Sequence, residues 1–351
     1  MENAAVCSTE AAHGGEDVYS CKESDALSAD HLVVMVHGIL GSASDWKFGA
    51  EQFVKMLPDK VFVHCSERNV AKSLDGVDVM GERLAEEVLE VIQSKPNLRK
   101  ISFIAHSVGG LVARYTIGKL YRPSEREGGQ KLSTNAGDEE SEATIAGLQP
   151  VNFITVATPH LGSRGHKQVG SFYIYVPFLF GVPALERTAS LIIHWIFRRT
   201  GRHLFLTDDD QGKLPLLRRM SALRCFERRV AYSNVRYDHI VGWRTSSIRR
   251  NSELPQWEDS VDEKYPHVVY EERCKAYDGE QCESTTEDDG LDELEETLVN
   301  GLSRVSWEKV DVSFHNSKLK NAAHSVIQVK EHYMHSEGAD IIQHMIDHFR
   351  L

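Results

Sequence analysis

No stretch of this chain reads as a membrane span. The most apolar one, Ser171 to Phe197, is broken by Pro177, Gly181, Pro183 and the Glu186–Arg187–Thr188 step, whereas a crossing helix needs about 20 uninterrupted apolar residues. Six cysteines, at positions 7, 21, 65, 225, 274 and 282, contain no C-x-x-C pair and no metal-ligand spacing. That removes a zinc framework and reads as reduced thiols of a cytosolic protein rather than a secreted disulfide scaffold. There is no basic face: the net charge is −12, so nucleic acid is not an expected partner. Met1 to Asp30 is acidic and polar, with neither the apolar core of a signal peptide nor the arginines of a transit peptide. It reads as a disordered lead, in which Cys7 lacks the flanking basic or apolar anchor that would argue for acylation. No internal repeat is visible.

What is present is an alternation of apolar runs and amphipathic stretches from residue 31 onward, the pattern of a mostly parallel sheet wrapped by helices on both faces. Strands are expected at His31–Val36, Lys60–Cys65, Lys100–Ala105, Val151–Ala157 and Arg229–Asn234, with an edge strand at Lys309–Phe314 and a last strand at Ser325–Lys330. Helices are expected from Asp45 to Leu57 (stopped by Pro58), Val77 to Ser94, Leu111 to Tyr121, Leu214 to Phe226 and Glu337 to Phe349. The α/β domain thus spans 31–351 and carries three insertions: a polar, mobile loop at 122–148, an apolar cap at 165–206 and an acidic segment at 251–304. Between Glu271 and Asn300 twelve acids face two bases. Most of the charge imbalance is therefore local, and a run of this kind is most simply a solvated surface.

The chemistry concentrates at Ile101–Ser102–Phe103–Ile104–Ala105–His106–Ser107–Val108–Gly109–Gly110. A strand runs into a sharp turn with a serine at its tip, and a helix follows at once. That is a nucleophile elbow, G-x-S-x-G with alanine at the first glycine. A serine hydroxyl needs a base to take its proton and a third group to orient that base, and in this arrangement they follow in the order Ser, acid, His. The acid expected is Asp238, in the loop after Arg229–Asn234. The base expected is His335, with His332 the alternative, because both follow Ser325–Lys330 on the side of the elbow. His324 is assigned to the opposite end of that strand. The oxyanion donors expected are the N–H groups of Val108 and Ile39, with Leu40 second to Ile39. His37, in the H-G pair, reads as a brace for that loop. No cofactor is called for, and His332 with His335 make a weak zinc pair without further ligands.

Three motifs together, His37–Gly38–Ile39–Leu40–Gly41, Ala105 to Gly110 and Thr158–Pro159–His160–Leu161–Gly162–Ser163, resemble the lipase branch of the α/β-hydrolases. More closely, the chain is similar to a lipase-like group of eukaryotic serine esterases long filed as a domain of unknown function. It is most similar to their plant members, through Asn234–Val235–Arg236–Tyr237–Asp238, the run Gly242–Trp243–Arg244–Thr245–Ser246–Ser247, and Met334–His335–Ser336–Glu337–Gly338. The resemblance covers residues 30–351. It implies the α/β-hydrolase fold and hydrolysis of carboxylic esters, of lipids such as monoacylglycerols or lysophospholipids.

Composition points the same way. The segment 171–203 holds Phe172, Phe178, Leu179, Phe180 and Trp195, then Arg198, Arg199 and Arg202. Two short helical pieces there would cap the elbow, line an acyl pocket and present arginines to lipid headgroups. The expected setting is the cytoplasm, with peripheral contact to a membrane or lipid droplet through this cap. Two other readings stay open: an acyltransferase or protein-depalmitoylating thioesterase on the same residues, and a non-catalytic lipid-binding or scaffold module.

Overall fold

The computed structural model describes residues 29–124, 142–163, 199–204, 206, 222–260, 262–277 and 293–351. The expected lead, most of the cap and its aromatic residues, the middle of the polar loop and much of the acidic segment lie outside the described residues.

A seven-stranded sheet has the order β2-β1-β3-β6-β7-β9-β8. Its strands are β1 (His31–Val36), β2 (Val61–Cys65), β3 (Lys100–His106), β6 (Gln149–Val156), β7 (Arg228–Asn234), β8 (Val268–Cys274) and β9 (Trp307–Val312). Tyr121–Arg122 (β4) and Thr144–Ile145 (β5) form a separate short ladder. All pairings in the large sheet are parallel except β8 with β9.

Alternation along β1 sorts its side chains into two cores. Leu32, Val34 and Val36 join the face covered by helices α2 (Val77–Ser94) and α3 (Gly109–Leu120), with Leu84, Val88, Leu111 and Ile117. Val33 and Met35 face the other way, onto α1 (Lys47–Met56) and the closing helix, through Phe53, Ile341, Ile342 and Met345. Strands buried on both faces read as continuous apolar runs, which is why β1, β2, β3 and β6 were visible in the sequence. The shorter helices are α4 (Trp243–Ser247), α5 (Glu293–Leu302), α6 (Ala323–Val326) and α7 (His332–His335), followed by the closing α8 (Ala339–Asp347).

Three expectations about the C-terminal half need correcting. The strand at 307–312 is interior, flanked by β7 and β8. The edge is β8, which lies inside the expected acidic insertion. Its Glu271, Glu272 and Arg273 hide it in the sequence, and charge on an edge strand blocks further pairing. Finally, Ser325–Lys330 is not a strand. Val326, Ile327, Gln328 and Val329 are all buried, so the run looks like a core strand. The backbone instead closes on itself, with Ile327 N–H donating to Ala323 O, Val329 N–H to Val326 O and Lys330 N–H to Ser325 O. The last parallel strand is therefore β9, and the chain leaving its C-terminal end brings His324 beside Ser107 before α8 packs back along the sheet and sets Phe349 against His31, the first residue of β1.

Candidate active site

Ser107 sits at the tip of β3 with φ 54°, a left-handed conformation that costs a non-glycine residue about 1 kcal/mol or more. The surroundings hold it there. Ser107 N–H donates to Val156 O at 2.9 Å, and Gly110 N–H donates back to Ser107 O at 3.1 Å. The flanking residues must be small. A Cβ on Gly109 would lie 2.4 Å from His37 O, and one on Gly110 would lie 2.3 Å from Thr158 Oγ1. Ala105 is completely buried, and its single methyl fits where glycine is usual.

His324, in α6, stands between Ser107 and Asp238. Its Nδ1 is 2.9 Å from Asp238 Oδ2, and its Nε2 is 3.1 Å from Ser107 Oγ. A carboxylate only accepts, so the imidazole proton belongs on Nδ1, leaving Nε2 to accept from the serine hydroxyl. Asp238 is held from several sides. Its Oδ1 accepts from Ile240 N–H at 3.0 Å and Val241 N–H at 2.8 Å, and its Oδ2 accepts from the Asn234 amide at 2.9 Å. Burial would raise the pKa of this carboxyl. The neighbouring His324 charge, together with the hydrogen bonds from His324, Val241 and Asn234, outweighs burial and holds the pKa below its ordinary value.

Sequence reasoning paired Ser107 and Asp238 with His335, and the structure replaces that histidine with His324. His335 is buried, and its Nδ1 accepts from Glu331 N–H at 3.1 Å. Burial above all lowers its pKa. His332 stacks on Phe48, ring centroids 4.5 Å apart. The error followed from reading 325–330 as a strand, which sent His324 to the wrong end of the sheet. The available signal was chain order: once β9 is the last strand, His324 lies in the segment that leaves it.

The loop after β1 abuts the elbow, since a Cβ on Gly38 would lie 3.0 Å from Ser107 Cβ. His37 Nδ1 donates to Gly38 O at 2.8 Å, which ties the loop to itself. Leu40 N–H is committed to Ser73 Oγ at 2.8 Å, so Leu40 is no free oxyanion donor in this conformation. The N–H groups of Ile39 and Val108 engage no hydrogen bond among the described residues. The Thr158–Ser163 loop is stapled to α4: Leu161 N–H donates to Thr245 Oγ1 at 3.0 Å, and that hydroxyl donates to Gly162 O at 2.8 Å. No group of potential metal ligands occurs among the described residues.

A mostly parallel sheet with a left-handed serine after its third strand, an acid in the loop after β7 and a histidine in the short helix α6 beside them defines an α/β-hydrolase. Residues 26–248 match the family model described as "Putative serine esterase (DUF676)", and the chain belongs to that family. Among curated proteins it is 31% identical over 229 residues to the putative lipase ROG1 of Saccharomyces cerevisiae, covering 62% of this chain and 28% of that one. It is 29% identical over 240 residues to the putative lipase C4A8.10 of Schizosaccharomyces pombe, covering 63% and 26%. The chain thus spans little more than a quarter of the length of these relatives. Among solved structures, the RedJ thioesterase of the prodiginine pathway of Streptomyces coelicolor aligns at TM-score 0.34 and 17% identity, covering 63% of this chain and 72% of that one. An extracellular alpha/beta-hydrolase from a Paenibacillus species aligns at TM-score 0.32 and 11% identity, covering 85% and 98%. The sheet order and the elbow, not these distant alignments, define the fold.

Proposed function

We propose that this chain hydrolyses carboxylic esters of lipids, of the monoacylglycerol or lysophospholipid type, through Ser107, His324 and Asp238. The observation that carries the proposal is the bridge His324 makes between the other two, at 3.1 Å to Ser107 and 2.9 Å to Asp238. Ser107 Oγ attacks the ester carbonyl carbon as its proton passes to His324 Nε2. The negative charge on the carbonyl oxygen meets the N–H groups of Val108 and Ile39. The imidazolium, steadied by Asp238, protonates the leaving alcohol, and an acyl-serine remains. Water then attacks the acyl carbon and gives a proton to His324. The fatty acid leaves as the serine regains its proton.

Family membership supports ester chemistry. The relatives named as lipases and the apolar composition of 171–197 support a lipid acyl group, while Arg199 is paired with Asp78 and adds no support for an anionic headgroup. Among the described residues no helix is long and apolar enough to cross a membrane. The deciding experiment labels the purified chain with a fluorophosphonate, which reacts only with an activated serine. It then profiles hydrolysis across monoacylglycerols, lysophospholipids and short esters. Labelling that disappears in Ser107→Ala with the fold retained is the expected result; a folded wild-type chain that takes no label refutes the proposal.

A further inference from the structure

His106, the residue immediately before Ser107, is buried and touches three parts of the site at once. Its Nε2 is 2.8 Å from the backbone carbonyl oxygen of His324. A carbonyl only accepts, so His106 carries its proton on Nε2 and donates it there. Its ring lies over the His324 ring, with centroids 4.5 Å apart and planes inclined by 51°. On the other side Nδ1 faces the loop after β1, where a Cβ on Gly38 would sit 3.0 Å away. The side chain is thus wedged between the base and the loop carrying Ile39, on the residue that precedes the nucleophile.

The position of His324 needs such a fixture. It lies on α6, a helix of four residues, too short to be held by its own ladder. Its sequence neighbours are anchored by packing, but its own carbonyl is held by His106, 218 residues away in the chain.

We infer that His106 is a positioning residue that holds the His324 carbonyl and ring so that Nε2 stays within reach of Ser107 Oγ. Burial keeps the His106 imidazole neutral, with its pKa well below the ordinary value and the nearby His324 charge lowering it further. It therefore adds no positive charge beside the imidazolium that forms on His324 during turnover. The inference rests on the catalytic reading of Ser107 and His324.

The test uses the full chain and follows fluorophosphonate labelling with time, so that rate constant and final labelled fraction are read separately. A merely structural defect lowers the fraction, whereas a mispositioned base lowers the rate constant. His106→Met and His106→Gln are close in shape, and only glutamine can donate to the carbonyl. His106→Phe keeps a ring without the donor. For Met and Phe the rate constant should fall by about 10- to 100-fold, the usual consequence of displacing a reacting group by an ångström or so. The labelled fraction should stay as in wild type, and Gln should recover most of the rate. In steady-state hydrolysis of a p-nitrophenyl ester the loss should fall on kcat and leave KM unchanged. Should the Phe variant fail to fold, the Met and Gln pair decides. Equal rate constants for Met and Gln overturn the role of His106 alone, provided wild type labels. A folded wild-type chain that does not label overturns the serine-hydrolase reading and this inference with it.

Discussion

His324 and Asp238 lie 86 residues apart in sequence and 2.9 Å apart in space, Nδ1 to Oδ2. Their side chains are almost closed to solvent, at 11% and 2% exposure, so the pair works in a medium less screening than water. Substituting His324 by alanine should cost about 10⁴-fold or more in kcat, the scale for removing the base of a serine triad. His335→Ala should keep activity within a few-fold, because that ring only accepts a hydrogen bond from the Glu331 N–H. Parallel measurement of kcat for the two variants checks this directly. Loss confined to the His335 variant would restore the expectation drawn from sequence.

Asp238 fixes which imidazole nitrogen carries the proton. Asp238→Asn offers an amide of the same size that can donate to Nδ1 and stabilise the wrong tautomer. The expected fall in kcat is about 10⁴-fold, with the melting temperature nearly unchanged. Because the Asp238 pKa is held below its ordinary value, this carboxyl stays ionised through the neutral range. The acid limb of the pH–rate profile should therefore belong to another group.

The elbow should tolerate no side chain at Gly109. A Cβ there would meet the backbone carbonyl oxygens of His37 at 2.4 Å and Val36 at 2.8 Å. Gly109→Ala should lower stability by about 1–3 kcal/mol or more through overpacking. Gly118 lies on the same helix with nothing within 4 Å of the same added atom. Gly118→Ala should raise stability by about 0.4–1 kcal/mol. Urea midpoints of the two variants against wild type test both signs at once.

Acid should destabilise the fold through its neutral buried histidines. Burial first, and the Lys100 charge second, lower the pKa of His31 from 6.5 to about 4, while its Nε2 stays 2.7 Å from Ser102 Oγ. His106 and His160 are pushed well below their ordinary value in the same direction. The unfolded chain then binds protons more readily than the folded one. Stability is whole above about pH 6.5 and declines as pH falls toward the folded values. At pH 5 His31 alone should contribute a loss of about 2 kcal/mol. Chemical denaturation at pH 7.5 and pH 5 should show the decline, and His31→Gln should reduce it.

Much of the fold was legible in the sequence, for identifiable reasons. β1 and α2 fall on the expected residues, because a strand buried on both faces and a long one-faced helix each leave a periodic trace. The elbow was legible because its backbone demands small residues at 105, 109 and 110. β8 was not, because an edge strand needs only one face to be apolar and here carries Glu271, Glu272 and Arg273.

By itself the sequence picked out Ser107, Asp238 and the loop after β1, which the structure brings to one end of the sheet, since each lies in a local pattern in which a backbone conformation selects its residues. Which histidine stands between Ser107 and Asp238 was decided only by the tertiary structure. Eight histidines follow Asp238 in the chain, and no local pattern singles out His324 among them. The choice turned on whether Ser325–Lys330 extends into the sheet or folds back on itself. A short buried strand and a buried helical turn leave the same apolar run at Val326, Ile327 and Val329, so only the packing of the whole domain could set the direction in which His324 points.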